Sequence, residues 1–163
     1  LFQDICQNEI SQQIEFQHIL VDAGTGFTAI AWILANSLLK ANKQIHVVQM
    51  AGSQEDFEER LLFYRQHLIR TLQTEPFDIQ PFHLHEPVWG KSFGSINAKV
   101  WQEIILQARQ EGILTEPIYT SKLFATARQL IEGQTLNGNV LLIHSGGVLT
   151  LAGFQAELQE ALE

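Results

Sequence analysis

A short segment rich in glycine and threonine, Gly24-Thr25-Gly26-Phe27-Thr28, lies between a buried-strand pattern and a helix pattern. The first N–H groups of a helix have no acceptor within the helix, and the helix dipole adds partial positive charge there. Glycine lets the backbone turn sharply and approach an anion, and threonine adds a hydroxyl donor. The segment therefore predicts a binding site for a phosphate. A strand-to-helix turn that binds nothing is the alternative interpretation of the same sequence pattern, because short glycine patterns are common.

Two other phosphate-binding motifs fit this glycine segment less well. Gly24, Gly26 and Ala29 satisfy the dinucleotide fingerprint, which also requires an acidic residue about 20 positions later, at the end of the second strand. That strand ends without an acid, and Glu55 already lies beside the next helix. The nucleoside triphosphate loop is excluded because no lysine follows these glycines.

Histidine, serine and aspartate side chains offer further chemistry, and each also has a simpler structural interpretation. His83 and His85 would share one face of a strand, as two metal ligands must, but without a third ligand nearby we predict no metal site. His144 and Ser145 are adjacent but lack the Gly-x-Ser-x-Gly elbow of a hydrolase. Asp22, at the end of a strand, is interpreted as a cap that holds the glycine turn.

Helical and strand-like patterns alternate along the chain, which predicts a mostly parallel sheet. Helices are expected at 1–13, 27–40, 53–72, 95–112, 120–133 and 149–163, and buried strands at 18–21, 45–49 and 140–143, with a short strand at 83–85. Ser53 and Ser95 are the predicted caps of their helices, the first with Asp56 in a capping box. The expected fold class is α/β, a three-layer, mostly parallel sheet flanked by helices, in a single domain over residues 1–163.

The composition excludes several classes of protein. The chain has 163 residues, a formal net charge of −8 and 45% hydrophobic residues. This balance suits one folded domain and argues against sequence-independent binding to nucleic acid or to an acidic membrane surface. Cys6 is the only cysteine, so we expect a packed apolar side chain and no disulfide within the chain. The longest apolar stretch, 27–35, is shorter than a membrane span of about 20 residues. We therefore expect a soluble, cytoplasmic protein.

Four segments follow the order and spacing of one enzyme family, namely 21–29, 108–113, 116–122 and 143–147. On these segments the chain resembles the C-terminal half of the pyridoxal-phosphate-dependent family of 1-aminocyclopropane-1-carboxylate deaminase and D-cysteine desulfhydrase. The resemblance extends over about residues 19–153. It implies the tryptophan-synthase-beta-like fold (fold type II), pyridoxal 5'-phosphate as cofactor, a small amino acid as substrate and a homodimeric assembly.

The resemblance also implies roles for individual residues. The residues that match the family's cofactor-phosphate cradle are Gly24, Thr25, Gly26, Phe27 and Thr28, with Phe27 in place of the usual small residue. Its amide can still donate a hydrogen bond.

At the ring of the cofactor, the resemblance implies a catalytic role for Tyr119, beside cofactor and substrate. Thr120 and Ser145 match the positions near the pyridine nitrogen, where deaminases of the family carry glutamate and leucine and desulfhydrases carry hydroxyl residues. The two hydroxyls therefore favour the desulfhydrase branch. Phe93 departs from the tyrosine that usually precedes the glycine at 94, which removes a substrate contact.

The family's reactive lysine has no match in this chain, because the lysine that forms the Schiff base belongs to the N-terminal half. Lys40 and Lys43 follow a helix that places them about 20 Å from the phosphate end, and Lys99 is expected on a solvated helix face. Lys91 and Lys122 do not match the reactive position. We therefore expect an inactive fragment that needs the N-terminal half of the same protein. The alternative is a non-catalytic α/β module that binds another phosphorylated ligand.

Overall fold

Four strands and six α-helices alternate along the chain in the computed structural model, which describes residues 2–163. The strands are β1 (Phe16–Ala23), β2 (Gln44–Gln49), β3 (Phe82–His85) and β4 (Asn139–Leu142). The helices are α1 (Phe2–Gln12), α2 (Phe27–Leu39), α3 (Gln54–Leu72), α4 (Ala98–Glu111), α5 (Thr120–Glu132) and α6 (Gln155–Leu162). Leu1, which the sequence pattern included in the first helix, lies outside the described residues. None of the described helices is long and apolar enough to cross a membrane.

All neighbouring strands are parallel, and their order across the sheet is β3-β2-β1-β4. Parallel neighbours need crossover connections, and the helices between the strands supply them. In the central strand β1, the side chains of Ile19, Leu20 and Val21 are fully buried, as the continuous apolar run predicts. Each such side chain contributes roughly 1.5–3 kcal/mol of burial free energy. β4 is different, because it is an edge strand of the described sheet and only half-buried, so its predicted full burial is wrong.

Helices cover both faces of the sheet. Ile19, Val21 and Ala23 of β1 pack with α2 and α3 on one face, whereas Leu20 packs with Leu123 of α5 on the other. α4 lies against α5, and α6 packs on α4 in turn. The sheet between two helical layers confirms the predicted three-layer α/β class.

The carboxyl ends of the two central strands are joined by a hydrogen bond from the Met50 N–H to the Ala23 carbonyl oxygen at 2.8 Å. β1 ends there, and only three residues separate it from the start of α2 at Phe27. In open parallel sheets the crevice outside the carboxyl ends of the strands is the usual ligand position. The fold therefore places the glycine turn where a ligand can reach it.

The predicted helix caps are confirmed in one case and wrong in the other. The Ser53 hydroxyl accepts a hydrogen bond from the Asp56 N–H at 3.1 Å, and the Asp56 carboxylate accepts from the Ser53 N–H, which completes the capping box of α3. α4 is capped by Asn97 rather than Ser95, because the Asn97 side chain accepts from the Val100 N–H. Ser95 instead ends a turn, in which its N–H bonds to the Ser92 carbonyl.

The last predicted helix, 149–163, is divided in two. A 3-10 helix spans Val148–Phe154, and only Gln155–Leu162 forms α6. Gly147 precedes the 3-10 helix with a positive φ of 80°, and Leu149 on it is exposed.

Three histidines from neighbouring strands form a hydrogen-bonded chain, and a fourth histidine stacks on its middle ring. His18 Nδ1 lies 3.0 Å from His46 Nε2, and His46 Nδ1 lies 3.0 Å from His85 Nε2. His83 stacks on His46 with ring centres 4.7 Å apart. His46 thus contacts the other three rings. The described residues hold no group of three or more histidine, cysteine, aspartate or glutamate side chains arranged for a metal ion.

The carbonyl oxygen of Asn137, which lies 3.1 Å from His18 Nε2, sets the direction of this chain. A carbonyl only accepts, so His18 carries its proton on Nε2 and accepts at Nδ1. When all three rings are neutral, His46 therefore donates from Nε2 to His18 Nδ1, and His85 donates from Nε2 to His46 Nδ1. Burial and the nearby rings of His83, His85 and His18 lower the pKa of His46 to about 3, so this ring stays neutral in the folded protein.

This lowered pKa predicts acid-sensitive stability. The unfolded chain binds a proton on His46 near the ordinary pKa of about 6.5, whereas the folded chain resists it until a pKa of about 3. The free energy of unfolding should therefore fall as the pH falls from about 6.5, by up to about 1.4 kcal/mol per pH unit from this ring. Urea unfolding of the wild type and of His46→Gln at a series of pH values measures the slope, which the substitution should reduce. His67→Gln, on the exposed surface of α3, is the control. Equal acid slopes in wild type and His46→Gln would contradict the prediction.

Candidate functional site

The residues assigned to ligand binding from the sequence meet, with one exception, in a cavity at the carboxyl edge of the sheet. The cavity has a volume of about 300 Å³. Its lining consists of Asp22, Ala23, Gly24, Thr25, Gly26, Phe27, Thr28, Tyr119, Ser145, Gly146 and Gly147. The turn between β1 and α2, the start of α5 and the segment after β4 therefore converge on one site.

The glycine turn needs glycine at two of its positions. A Cβ on Gly24 would lie 2.7 Å from the Tyr119 hydroxyl oxygen, closer than two such atoms approach. Gly26 has a positive φ of 87°, and a Cβ there would lie 3.1 Å from the Phe57 ring. The backbone can adopt this conformation and this close approach only because both side chains are missing.

The start of α2 supplies the donors for an anion. Its helical ladder begins with the bond from the Ile30 N–H to the Gly26 carbonyl oxygen at 2.8 Å, so the N–H groups that precede Ile30 have no helical acceptor. Arg60 of α3 donates to the Thr25 carbonyl oxygen at 2.5 Å, which brings a cation beside the turn. Free N–H groups, a helix dipole and a guanidinium together favour an oxyanion here.

Tyr119 is held against the turn by the residues that precede α5. The carboxylate of Glu116 accepts hydrogen bonds from the N–H groups of Ile118, Tyr119 and Thr120 at 2.7–2.8 Å, which satisfies the start of the helix. The Phe93 ring meets the Tyr119 ring edge-on with centres 5.5 Å apart. Burial, followed by the charges of Asp22 and Glu116, raises the pKa of the Tyr119 hydroxyl. Tyr119 therefore keeps its proton at neutral pH and can donate it into the cavity.

Thr120 is the exception among the predicted site residues, because its side chain does not line the cavity. It is fully buried, and its hydroxyl accepts from the Glu116 N–H at 2.9 Å and lies 3.3 Å from the Glu116 carboxylate. Thr120 is the first residue of α5, so its hydroxyl turns back toward the preceding loop. Its contribution in this structure is to the conformation of that loop.

Ser145 and Asp22 form a hydrogen-bonded pair in the lining of the cavity. The Ser145 hydroxyl donates to Asp22 Oδ2 at 2.6 Å, and Asp22 is 6% exposed. Burial raises the pKa of the Asp22 carboxyl and Glu116 adds to this, while the bond from Ser145 and the charge of His144 oppose it. The prediction that Asp22 caps the glycine turn is wrong, since its side chain bonds to the segment after β4.

Sequence reasoning missed Gly146, Gly147, Arg60 and the pairing of Asp22. Gly147 has a positive φ, and a Cβ on it would lie 3.1 Å from Glu116 Cγ, so it permits a close approach like that at Gly24. The glycines directly after a buried strand were a signal for this second turn. Arg60 and Asp22 gave none, because their partners lie far away along the chain.

The adjacent His144 does not act on Ser145. His144 Nε2 lies 2.9 Å from the Leu114 carbonyl oxygen, and its Nδ1 accepts from the Gly146 N–H at 3.1 Å. Both ring nitrogens are therefore occupied by the backbone. His144 is therefore not placed as the base of a serine nucleophile, which supports the sequence argument against a Ser-His hydrolase.

The lysines are placed away from the cavity lining. Lys122 is fully buried, and its amine donates to the Ser92 carbonyl oxygen at 2.7 Å, which fastens the loop that carries Phe93. Lys43 pairs with Glu9 at 2.8 Å, at the far end of α2. Within residues 2–163, no lysine lines this cavity.

The fold and the cavity together define an α/β protein with a cavity lined by a glycine turn at the carboxyl edge of its parallel sheet. No family model matches the chain. Among known proteins, a D-cysteine desulfhydrase of Yersinia pestis is 26% identical over 160 residues, which cover 94% of this chain and 48% of the relative. A Pyrococcus horikoshii protein, provisionally named as a 1-aminocyclopropane-1-carboxylate deaminase, is 30% identical over 139 residues, which cover 83% of this chain and 41% of that protein.

The solved structures agree with these relatives. A crystal structure of a homologue of 1-aminocyclopropane-1-carboxylate deaminase matches with a TM-score of 0.80 at 26% identity, over 94% of this chain and 47% of that one. The resemblance inferred from the motifs is thereby confirmed, and the chain is a homologue of the 1-aminocyclopropane-1-carboxylate deaminase and D-cysteine desulfhydrase family. It spans about half the length of the relatives that it matches.

The close approach at Gly24 predicts a sharp mutational effect. Gly24→Ala should push Tyr119 out of position, because the new Cβ would meet its hydroxyl at 2.7 Å. We expect at least a tenfold weaker affinity for pyridoxine 5'-phosphate, about 1.4 kcal/mol, measured by fluorescence titration. Gly153→Ala is the matched control, because a Cβ there meets nothing within 4 Å. Equal affinities of the two variants would refute the assignment of the turn.

Proposed function

We propose that this chain is the part of a pyridoxal-phosphate-dependent enzyme that binds the phosphate and ring of the cofactor, and that the enzyme acts on a small amino acid. The observation that carries the proposal is the convergence of the glycine turn, Tyr119 and Ser145 on one cavity in a homologue of this enzyme family. The N-terminal half, which spans the remaining length of the relatives, would supply the reactive lysine. We propose that this chain by itself is inactive and that the whole enzyme is a cytoplasmic homodimer.

The residues present fit the phosphate end of this cofactor. Side chains on Gly24 or Gly26 would fill the space beside the turn, and their absence leaves a cradle lined by backbone and by the threonines at 25 and 28. Several hydrogen bonds from such donors to a phosphate contribute roughly 1.5–3 kcal/mol each. When bound, the pyridine ring supplies an electron sink for charge that develops on the substrate.

Tyr119 is the proposed catalytic residue of this half. Its raised pKa keeps the proton on the hydroxyl, and Glu116 and Phe93 fix the orientation of the ring. A positioned tyrosine of this kind can donate a proton to a leaving group, and such general acid catalysis contributes about 10²–10⁴-fold in rate.

The proposed reaction is desulfhydration of D-cysteine rather than opening of a cyclopropane ring. The support is the hydroxyl of Ser145 in the cavity, since the demanding ring opening favours a carboxylate beside the ring nitrogen. Thr120 adds less support than its sequence position suggested, because its hydroxyl bonds to Glu116. The names of the relatives include both activities and so do not decide between them.

A second function is favoured by one observation. No lysine of residues 2–163 lines the cavity, which also fits a non-catalytic α/β module that binds another phosphorylated ligand. The two proposals differ in whether a second segment completes the site.

The first experiment treats the protein with pyridoxal 5'-phosphate and borohydride and identifies modified lysines by mass spectrometry. The proposal expects reversible binding without stoichiometric modification at one lysine of this chain. Specific modification of one lysine would contradict the assignment of the reactive lysine to the other half. Failure to bind the cofactor would refute the enzyme proposal and favour the binding module.

The second experiment uses the protein expressed from its complete coding sequence. It should release sulfide and a 2-oxo acid from D-cysteine, and Tyr119→Phe should lower kcat by about 10²-fold while cofactor binding is kept. Tyr64→Phe, which changes the only other tyrosine, is the control. A 2-oxo acid formed from 1-aminocyclopropane-1-carboxylate alone would overturn the choice of substrate.

A further inference from the structure

The pair of Asp22 and Ser145 puts a buried carboxylate behind a hydroxyl of the cavity. Asp22 belongs to β1, and Ser145 follows β4, so the pair joins two elements far apart in sequence. The bond from Ser145 Oγ to Asp22 Oδ2 is short, at 2.6 Å, as expected for a hydroxyl that donates to a charged acceptor. Both residues line the cavity that contains the glycine turn.

This bond determines what Ser145 can offer to a ligand. A hydroxyl has one proton to donate and two lone pairs that accept. An ionised carboxylate only accepts hydrogen bonds, so the single O–H of Ser145 is used in its bond to Asp22. The Ser145 oxygen then faces the cavity with lone pairs alone, and a ligand atom that contacts it favourably must be a donor.

Glu116 and His144 act on Asp22 through their charges but form their own hydrogen bonds elsewhere. The carboxylate of Glu116 is occupied by the N–H groups at the start of α5, and both ring nitrogens of His144 bond to the backbone. Tyr119 keeps its proton and is the other side-chain hydroxyl near this end of the cavity. Asp22 is thus the group that sets the polarity of Ser145.

We propose that Asp22 is a positioning residue that makes Ser145 an obligate acceptor, so that the cavity selects a phosphorylated ligand whose ring nitrogen carries a proton. This inference rests on the proposed function, which places a phosphorylated pyridine in the cavity. Asp22 would act on the ring nitrogen through the Ser145 hydroxyl and not by direct contact. Selection of the protonated ring would strengthen the electron sink that the enzyme uses.

The probe for this proposal is pyridoxine 5'-phosphate, which has the phosphate and the pyridine nitrogen but no aldehyde to react with lysines. Its affinity is measured by fluorescence titration on the alkaline side of neutrality, because the raised pKa of Asp22 calls for a high pH to favour its ionised form and because the free ring nitrogen loses its proton there. For the wild type we expect the affinity to fall by about tenfold per pH unit once the free ring is deprotonated. For Asp22→Ala and Ser145→Ala we expect the affinity to change by less than about twofold per pH unit.

Two further variants separate this role from a structural one. Ser145→Thr keeps a hydroxyl and should restore the pH dependence, whereas Ser121→Ala removes a buried hydroxyl that has no hydrogen-bond partner and should leave it intact. If Asp22→Ala does not fold, Ser145→Ala and Ser145→Thr still provide the comparison. A pH dependence that persists in Ser145→Ala, with only a lower melting temperature, would overturn the proposal. The bond between Ser145 and Asp22 would then serve only to stabilise the fold.

The failure of this inference is distinguishable from failure of the proposed function. Tight binding with no pH dependence in the wild type would refute the selection of a protonated ring and leave the cofactor assignment standing. No binding of pyridoxine 5'-phosphate by the wild type would refute both.

Discussion

The approach of the Gly24 backbone to the Tyr119 ring is the constraint on which the site depends. A Cβ at this glycine would lie 2.7 Å from the tyrosine hydroxyl, so the turn after β1 and the start of α5 can share one cavity only without that side chain. Glu116 fixes the other partner, because its carboxylate binds the N–H groups that begin α5. The sheet sets the positions of both elements, since β1 carries the turn and α5 packs on Leu20 of that strand.

Local electrostatics, rather than net charge, determines what this cavity can bind. The chain carries a formal net charge of −8, yet the N–H groups of α2 and the guanidinium of Arg60 create a positive region at the turn. Near Tyr119 the charge is negative: burial and then the carboxylates of Asp22 and Glu116 raise the pKa of its hydroxyl. A ligand with an anionic end and a proton-bearing end matches this division of charge.

Much of the fold followed from patterns that depend on near neighbours in the chain. Buried apolar runs predicted β1 and β2, and the capping box predicted the start of α3 at Ser53, because the groups involved are close in sequence. Two of the errors arise between near neighbours, where the sequence offered more than one possible partner: Asn97 rather than Ser95 caps α4, and the Thr120 hydroxyl bonds to Glu116. The pairing of Asp22 with Ser145 and the contact of Arg60 with Thr25 were missed because the partners lie far apart along the chain.

The site divides its chemistry between what this chain holds and what a reactive amine must add. The described residues offer N–H donors at the turn, a proton on Tyr119 and a Ser145 hydroxyl whose orientation is fixed by Asp22. None of these functions requires a lysine, and Lys122, which is nearest in sequence to Tyr119, is committed to the loop that carries Phe93. If the cavity binds a phosphorylated ring as proposed, the approach of an amine is the remaining step. In a chain that spans about half of its relatives, that step would belong to the other half.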